Sequence, residues 1–208
     1  MTLNDFRSNA NNIGRLLKSN TKEFVVAYRV AEPDLPRFGT FVKAPAQQNQ
    51  TEVFGLIYNI LVEDDPLVKQ MVAGSGNMTE TQFENYVLDN RERRKVPIEV
   101  SVLAIGYRND DGFIHDLPPQ PPITLDRISP CDAAEITQFT ARLDYLRLIL
   151  FAPDVPADEL IAISLRLAAD CQPPEDRERF LRNAGRELAK LLNRDLARLE
   201  KLLKRLKT

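Results

Sequence analysis

The stretch Ile114–Asp132, IHDLPPQPPITLDRISPCD, constrains the fold of this chain more than any other. Pro118, Pro119, Pro121 and Pro122 each hold φ near about −65° and remove a backbone donor, so the segment belongs to neither helix interior nor central strand. It must run extended along a surface. Residues before it are rich in β-formers, and residues after it step with a helical period. The expected class is therefore α+β. A β unit over residues 1–128, carrying an insertion at about 63–96, precedes a helical region over 129–208. The prolines predict a rigid strap lying on the β unit, fixing the helices relative to it.

Within the first part, Ile13 to Ser19 and Phe24 to Val30 read as a hairpin around Asn20 and Thr21. A turn-rich connection over Ala31 to Pro36 leads to a third strand, Gly39 to Lys43, and then a polar loop, Ala44 to Gln50. The strongest strand signals are Glu52 to Val62 and Ile98 to Arg108, with Gly55 and Gly106 where a strand would bulge or bend. The turn Asn109-Asp110-Asp111-Gly112 follows the second of these. No charge interrupts Val53 to Val62 to blunt an edge, so the sheet is expected to be closed or covered, as in a small barrel. In the insertion, Thr79 to Arg93 reads as a short helix with Thr79 and Gln82 as a capping box.

Beyond the strap, Ser129 reads as a helix cap with Pro130 at the first helical position, and the apolar steps Ile136, Phe139, Leu143, Leu146 and Leu150 carry that helix to Phe151, before Pro153 stops it. Ala157 to Cys171 reads as a second helix, ended by Pro173 and Pro174. Glu175 to about Leu206 reads as one long basic amphipathic helix with a leucine stripe, in which Asp195 interrupts a strict heptad. On it Arg182, Arg186, Lys190, Arg194 and Arg198 recur every fourth residue, prolonged by Lys201 and Arg205. These cations are the candidate contact for an anionic partner. A second basic cluster, Arg91, Arg93, Arg94 and Lys95, ends the inserted helix.

Charge is distributed unevenly. Residues 175–208 carry 11 Lys and Arg against 6 Asp and Glu, a local +5, while the whole chain is −2, which leaves −7 on residues 1–174. Such a tail either binds its own acidic body or offers itself to nucleic acid, a membrane surface or an acidic protein. No apolar run approaches the roughly 18 residues of a membrane span, and MTLNDFRSNANN lacks a signal-peptide core, so a cytoplasmic setting is expected. Cys131 and Cys171 suit packed thiols in a reducing compartment.

Conventional site chemistry is missing from the pattern. His115 is the sole histidine; it reads as a surface or interface residue that does not pair with Asp116, because strand neighbours face opposite ways. Gly74-Ser75-Gly76-Asn77 lacks the lysine of a phosphate-binding loop, and Glu63-Asp64-Asp65-Pro66 lacks the oxygen spacing of a calcium loop. No catalytic, cofactor or metal residue is therefore assigned, and the expectation is a non-enzyme without cofactor.

Read in order, IGRLLKS, FVVAYRV, LPRFGTFVKAP, EVFGLIYNIL, IEVSVLAIGY and DLPPQPPITLDRIS resemble a HAS-barrel, the small barrel shared by HerA-type ATPases and F-type ATP synthases. The resemblance spans about residues 12–130 and rests on Gly14, the Phe38 to Val42 strand entry, Val53 to Ile57 with its glycine, and the proline exit. It implies a barrel that docks partners or lines subunit contacts in a ring, beside an ATPase domain. Here a helical region stands where that domain would follow, without its phosphate loop. The leading expectation is a stand-alone interaction or assembly module that docks on a protein, either a ring ATPase or another copy. The alternative is a nucleic-acid-binding accessory protein using the basic terminal helix, with peripheral membrane contact a weaker third.

Overall fold

A computed structural model describes residues 13–30, 36–62, 79, 81 and 96–206. The expected helix Thr79 to Arg93 and the cluster Arg91, Arg93, Arg94 and Lys95 lie, but for Thr79 and Thr81, outside these residues. The described strands are β1 (Gly14–Ser19), β2 (Glu23–Val30), β3 (Phe41–Ala46), β4 (Thr51–Val62), β5 (Val96–Asn109), β6 (Gly112–Ile114) and β7 (Arg127–Pro130). They pair antiparallel in the order β2-β1-β7-β3-β4-β5, and β2 pairs again with β5. Six strands thus close into a barrel. The long β5 gives one edge to β2 over its first half and to the short β6 over its end.

Closure follows from strand alternation. Val42 and Ala44 of β3 point into the barrel, with Leu16, Val26, Val53, Ile57, Val100 and Ile128 around them. Phe41 faces outward, as do Phe54, Leu56, Leu103 and Ile105, and these join a second core beneath the helices. Apolar residues on both faces need both faces covered, and this is why β4 reads as a continuous apolar run. Gly55 sits at a register shift between β4 and β5, the bulge its position foretold. The expected polar loop at Ala44 to Gln50 begins later than predicted: Ala44, Pro45 and Ala46 continue β3, and the turn is confined to Gln47–Asn49.

The proline strap lies on the barrel. Pro118 and Pro122 are buried, the Ser19 hydroxyl donates to the Pro122 carbonyl at 2.5 Å, and Leu125 N–H donates to Leu16 O at 2.9 Å. The strap ends as β7, which fills the gap between β1 and β3. Ser129 and Pro130 are therefore strand residues, not a helix start. Three-residue helix punctuation was overridden by the ladder bonds β7 gains from two neighbours. The cap falls three residues later: Asp132 Oδ1 accepts Glu135 N–H at 2.8 Å, and Glu135 Oε2 accepts Asp132 N–H at 3.1 Å, a complete capping box.

That box opens α1 (Ala133–Phe139), followed by α2 (Leu146–Leu150), α3 (Ala157–Asp170), α4 (Arg177–Leu191) and α5 (Leu196–Leu206). The single helix expected up to Phe151 is broken between α1 and α2, where Thr140 turns its hydroxyl onto Ile136 O at 2.7 Å. Helix α3 is the axle of the helical layer. Ala157, Leu160, Ile161, Leu165, Ala168 and Ala169 are all buried, and it contacts α1, α2, α4, α5 and β4. Where β3 is entered, Gly39 has φ +81°, and a Cβ there would lie 2.4 Å from Ile163 Cγ2 of α3. Only glycine allows both that turn and that approach.

Charges stitch the two layers as well. Lys43 of β3 bonds the Glu135 carboxylate and lies 3.3 Å from Glu52 of β4. Arg108 of β5 bonds Glu52, reaches Glu135 at 3.4 Å, and stacks over the Phe54 and Phe113 rings. Burial works against the Lys43 ammonium, but the hydrogen bond and charge of Glu135, with Glu52, outweigh it and raise its pKa.

Candidate docking groove

An open groove of about 1280 Å³ lies between α3, α4 and α5. Its local causes are plain in the sequence of these helices. In α3, ADELIAISLRLAAD, alanine and leucine favour helix and Asp158 and Glu159 suit the first turn. Burial takes the inner faces of α3 but leaves Ile163, Arg166 and Leu167 half-buried at the groove. Helix α4 begins after Pro173 and Pro174 without a side-chain cap, and carries Arg177 and Arg179 in its first turn. Cations there oppose the helix dipole. They are held by carboxylates instead: Arg177 meets Asp170 at 2.8 Å and Arg179 meets Asp176 at 2.9 Å.

The groove floor is apolar, with Ile163, Leu167, Leu181, Leu203 and Leu206. At Gly185 an added Cβ would come within 3.2 Å of Leu203 Cδ2, so the missing side chain lets α5 seat against α4. Arg166, Arg177, Arg182 and Arg186 form the rim, with Asp170 and Glu178 as its acidic residues. Arg182 pairs with Glu178 at 3.1 Å. Arg186 reaches only the Asn183 amide oxygen at 3.4 Å, and Arg166 only the Arg205 carbonyl at 3.4 Å. Neither of those two has a carboxylate partner among the described residues.

The continuous cation row expected on one long helix does not exist. The chain turns at Leu192 to Asp195, and Asp195 caps α5 by accepting Arg198 N–H at 3.0 Å. The interruption noted at Asp195 was the signal of that break. Arg198 now bonds Asp158 at 2.7 Å and Arg205 bonds Glu159 at 2.6 Å, both at the start of α3. The Arg205 hydrogen bond holds the Glu159 carboxyl below its ordinary pKa. Lys190 pairs with Glu187 at 2.9 Å, while Arg194 falls in the connection and Lys201 stays exposed. Of the seven candidates only Arg182 and Arg186 line the groove. Arg166 and Arg177 were missed; the odd placement of Arg177 at a helix N-terminus was the available clue.

A smaller hollow of about 300 Å³ is lined by His115, Asp116, Arg142, Asp144 and Arg147, with Phe113 and Ile114. His115 is not the surface residue expected of a lone histidine after a turn. It is buried against Phe139 and Tyr145, with ring centroids 4.5 and 5.6 Å away. Its Nε2 lies 3.0 Å from Phe139 O, which can only accept, so Nε2 carries the proton and Nδ1 keeps its lone pair. Nδ1 lies 3.8 Å from the Asp144 carboxylate; it and the Tyr145 hydroxyl are buried with no hydrogen-bond partner among the described residues. Burial lowers the His115 pKa against the opposing pull of its Phe139 bond and Asp144. The ring thus packs between Phe139 and Tyr145 at the inner side of the hollow. Asp116 turns away from it to bond Arg147, whose guanidinium also donates to His115 O at 3.0 Å.

Among the described residues no helix is long and apolar enough to cross a membrane, and no group of three or more His, Cys, Asp or Glu is placed to hold a metal ion. No protein-family model matches the chain, and no curated protein matches it.

Proposed function

We propose that this protein is a non-enzymatic, cytoplasmic docking module, a barrel whose helical layer offers a groove to a protein partner. The observation that carries this reading is the α3–α4–α5 groove, where an apolar floor stays open to solvent inside a rim of arginines. Half-buried apolar side chains lining an open concavity, here Ile163, Leu167, Leu181 and Leu203, favour an interface over a solvated face. The HAS-barrel identity is proposed on the closed six-stranded antiparallel barrel and its proline exit strand, and it makes a ring-forming ATPase or a second copy a fitting class of partner. Catalysis by the His115 hollow is disfavoured by the buried Nδ1.

Size measurement and affinity capture from native lysate test the reading when run beside a Leu181→Asp variant. The expected result is a discrete partner at fixed stoichiometry on the native chain, lost on the variant while the barrel stays folded. A lone monomer that retains nothing refutes it.

A further inference from the structure

We infer that the α3–α4–α5 groove takes one face of an acidic amphipathic helix from a partner protein. This rests on the docking-module reading and narrows it to one chemistry. The lining runs along α4 from Arg177 to Ala189, about 18 Å at 1.5 Å per residue, so it accommodates roughly three turns of helix. Leu167, Leu181 and Leu203 at the floor suit leucine-type anchors at i, i+3 or i+4 and i+7. Four arginines on the rim stand against two carboxylates, both of which already hold arginines, Asp170 with Arg177 and Glu178 with Arg182. Arg166 and Arg186 are left to meet carboxylates that flank the anchors. The surface therefore selects by sign as well as by apolar contact.

A nucleic acid is a poorer fit. Phosphate tracking needs free cations in a continuous run, yet Arg198 and Arg205 are held by Asp158 and Glu159, and leucines occupy the centre of the groove. A basic or neutral helix would meet the same floor but leave Arg166 and Arg186 facing like or absent charge.

The test uses the full chain and a fluorescein-labelled synthetic helix of roughly 14 residues with leucine anchors and glutamate elsewhere, read by anisotropy at about 50 mM salt. A control peptide has lysine for every glutamate. Expected are binding of the acidic peptide, at least about tenfold weaker binding of the basic one, and a loss of about tenfold in the Arg166→Glu/Arg186→Glu variant. The Arg166→Gln/Arg186→Gln variant guards against a folding defect, with unchanged circular dichroism and Tm as the check, and should lose less. Equal binding of the two peptides, or an unchanged double variant, overturns the inference while leaving lysate capture, and hence the docking reading, intact. Displacement of the peptide by single-stranded DNA or by anionic vesicles with the same arginine dependence overturns it in favour of those partners. No binding of either peptide also overturns it; failure of the docking reading is recognised separately, by a native chain that retains nothing from lysate.

Discussion

Replacing Glu135 by alanine should loosen the helical layer from the barrel at one place. The side chain is 13% exposed and performs two tasks: it closes the capping box of α1 and it bonds cations on two barrel strands, Lys43 and Arg108. Losing the reciprocal cap bond costs about 0.5–1 kcal/mol. The ion pairs are part-exposed, Lys43 at 22% and Arg108 at 33%, so each is worth about 1 kcal/mol after solvent screening, well under a fully buried charge-assisted bond. The sum is about 2.5–3 kcal/mol, a fall in Tm of roughly 5–12 °C for a domain of this size. Glu135→Gln keeps the shape and can still accept from Asp132 N–H, so it should lose only about 1–2 kcal/mol. Urea denaturation of Glu135→Ala, Lys43→Met and the double variant isolates the pair, with a coupling near about 1 kcal/mol expected. An alanine variant within about 0.5 kcal/mol of the native chain, or a coupling near zero, would show that the charges merely sit at a contact made by apolar packing.

Three further outcomes follow from the same geometry. Because burial lowers the folded pKa of His115 below its ordinary 6.5, the unfolded chain binds the extra proton first. The stability held by the neutral ring is present in full above about pH 6.5 and is lost as pH falls toward the folded value, with Asp144 and Asp116 moderating the loss and Arg142 adding to it. Denaturation midpoints for native chain and His115→Gln should converge as pH drops from 8 to 5, and parallel curves would contradict this. Gly39→Ala should cost about 2–4 kcal/mol, from the left-handed φ and the collision with Ile163, and Ile163→Ala in the same chain should restore the collision part alone, a split that thermal melts can read. Burial raises the pKa of both thiols, Cys171 to about 11, so Ellman's reagent at pH 8 should leave the native chain nearly unlabelled and label both cysteines once it unfolds; fast native labelling would mean the thiols are open to solvent.

Local pattern carried much of the fold. The hairpin Gly14–Ser19 with Glu23–Val30, the apolar run of β4, its bulge at Gly55 and the α3 helix all lie where period and turn chemistry put them. Each depends on neighbours within a few residues, which a single sequence displays. Misreadings cluster where a distant partner supplied the bonds. Ser129 and Pro130 carry the punctuation of a helix start, yet Gly14 and Arg15 on one side and Val42 and Lys43 on the other make Arg127–Pro130 a barrel strand. His115 looked exposed because nothing nearby in sequence announces Phe139 and Tyr145 as its neighbours.

By itself, then, the amino-acid sequence determined an α+β chain, a β unit fit for closure, a proline strap that cannot be helix, and a basic end. These are properties of short-range sterics and of hydrophobic period. Tertiary structure alone decided which cations are free. A row at every fourth residue is a feature of one straight helix, and the capped turn at Asp195 folds that helix back so that Arg198 and Arg205 meet α3 carboxylates about 40 positions earlier in the chain. The groove exists for the same reason: Arg166 and Arg186 line one concavity only when α4 and α5 pack on α3, and charge complementarity is a property of surfaces, which the order of residues does not contain.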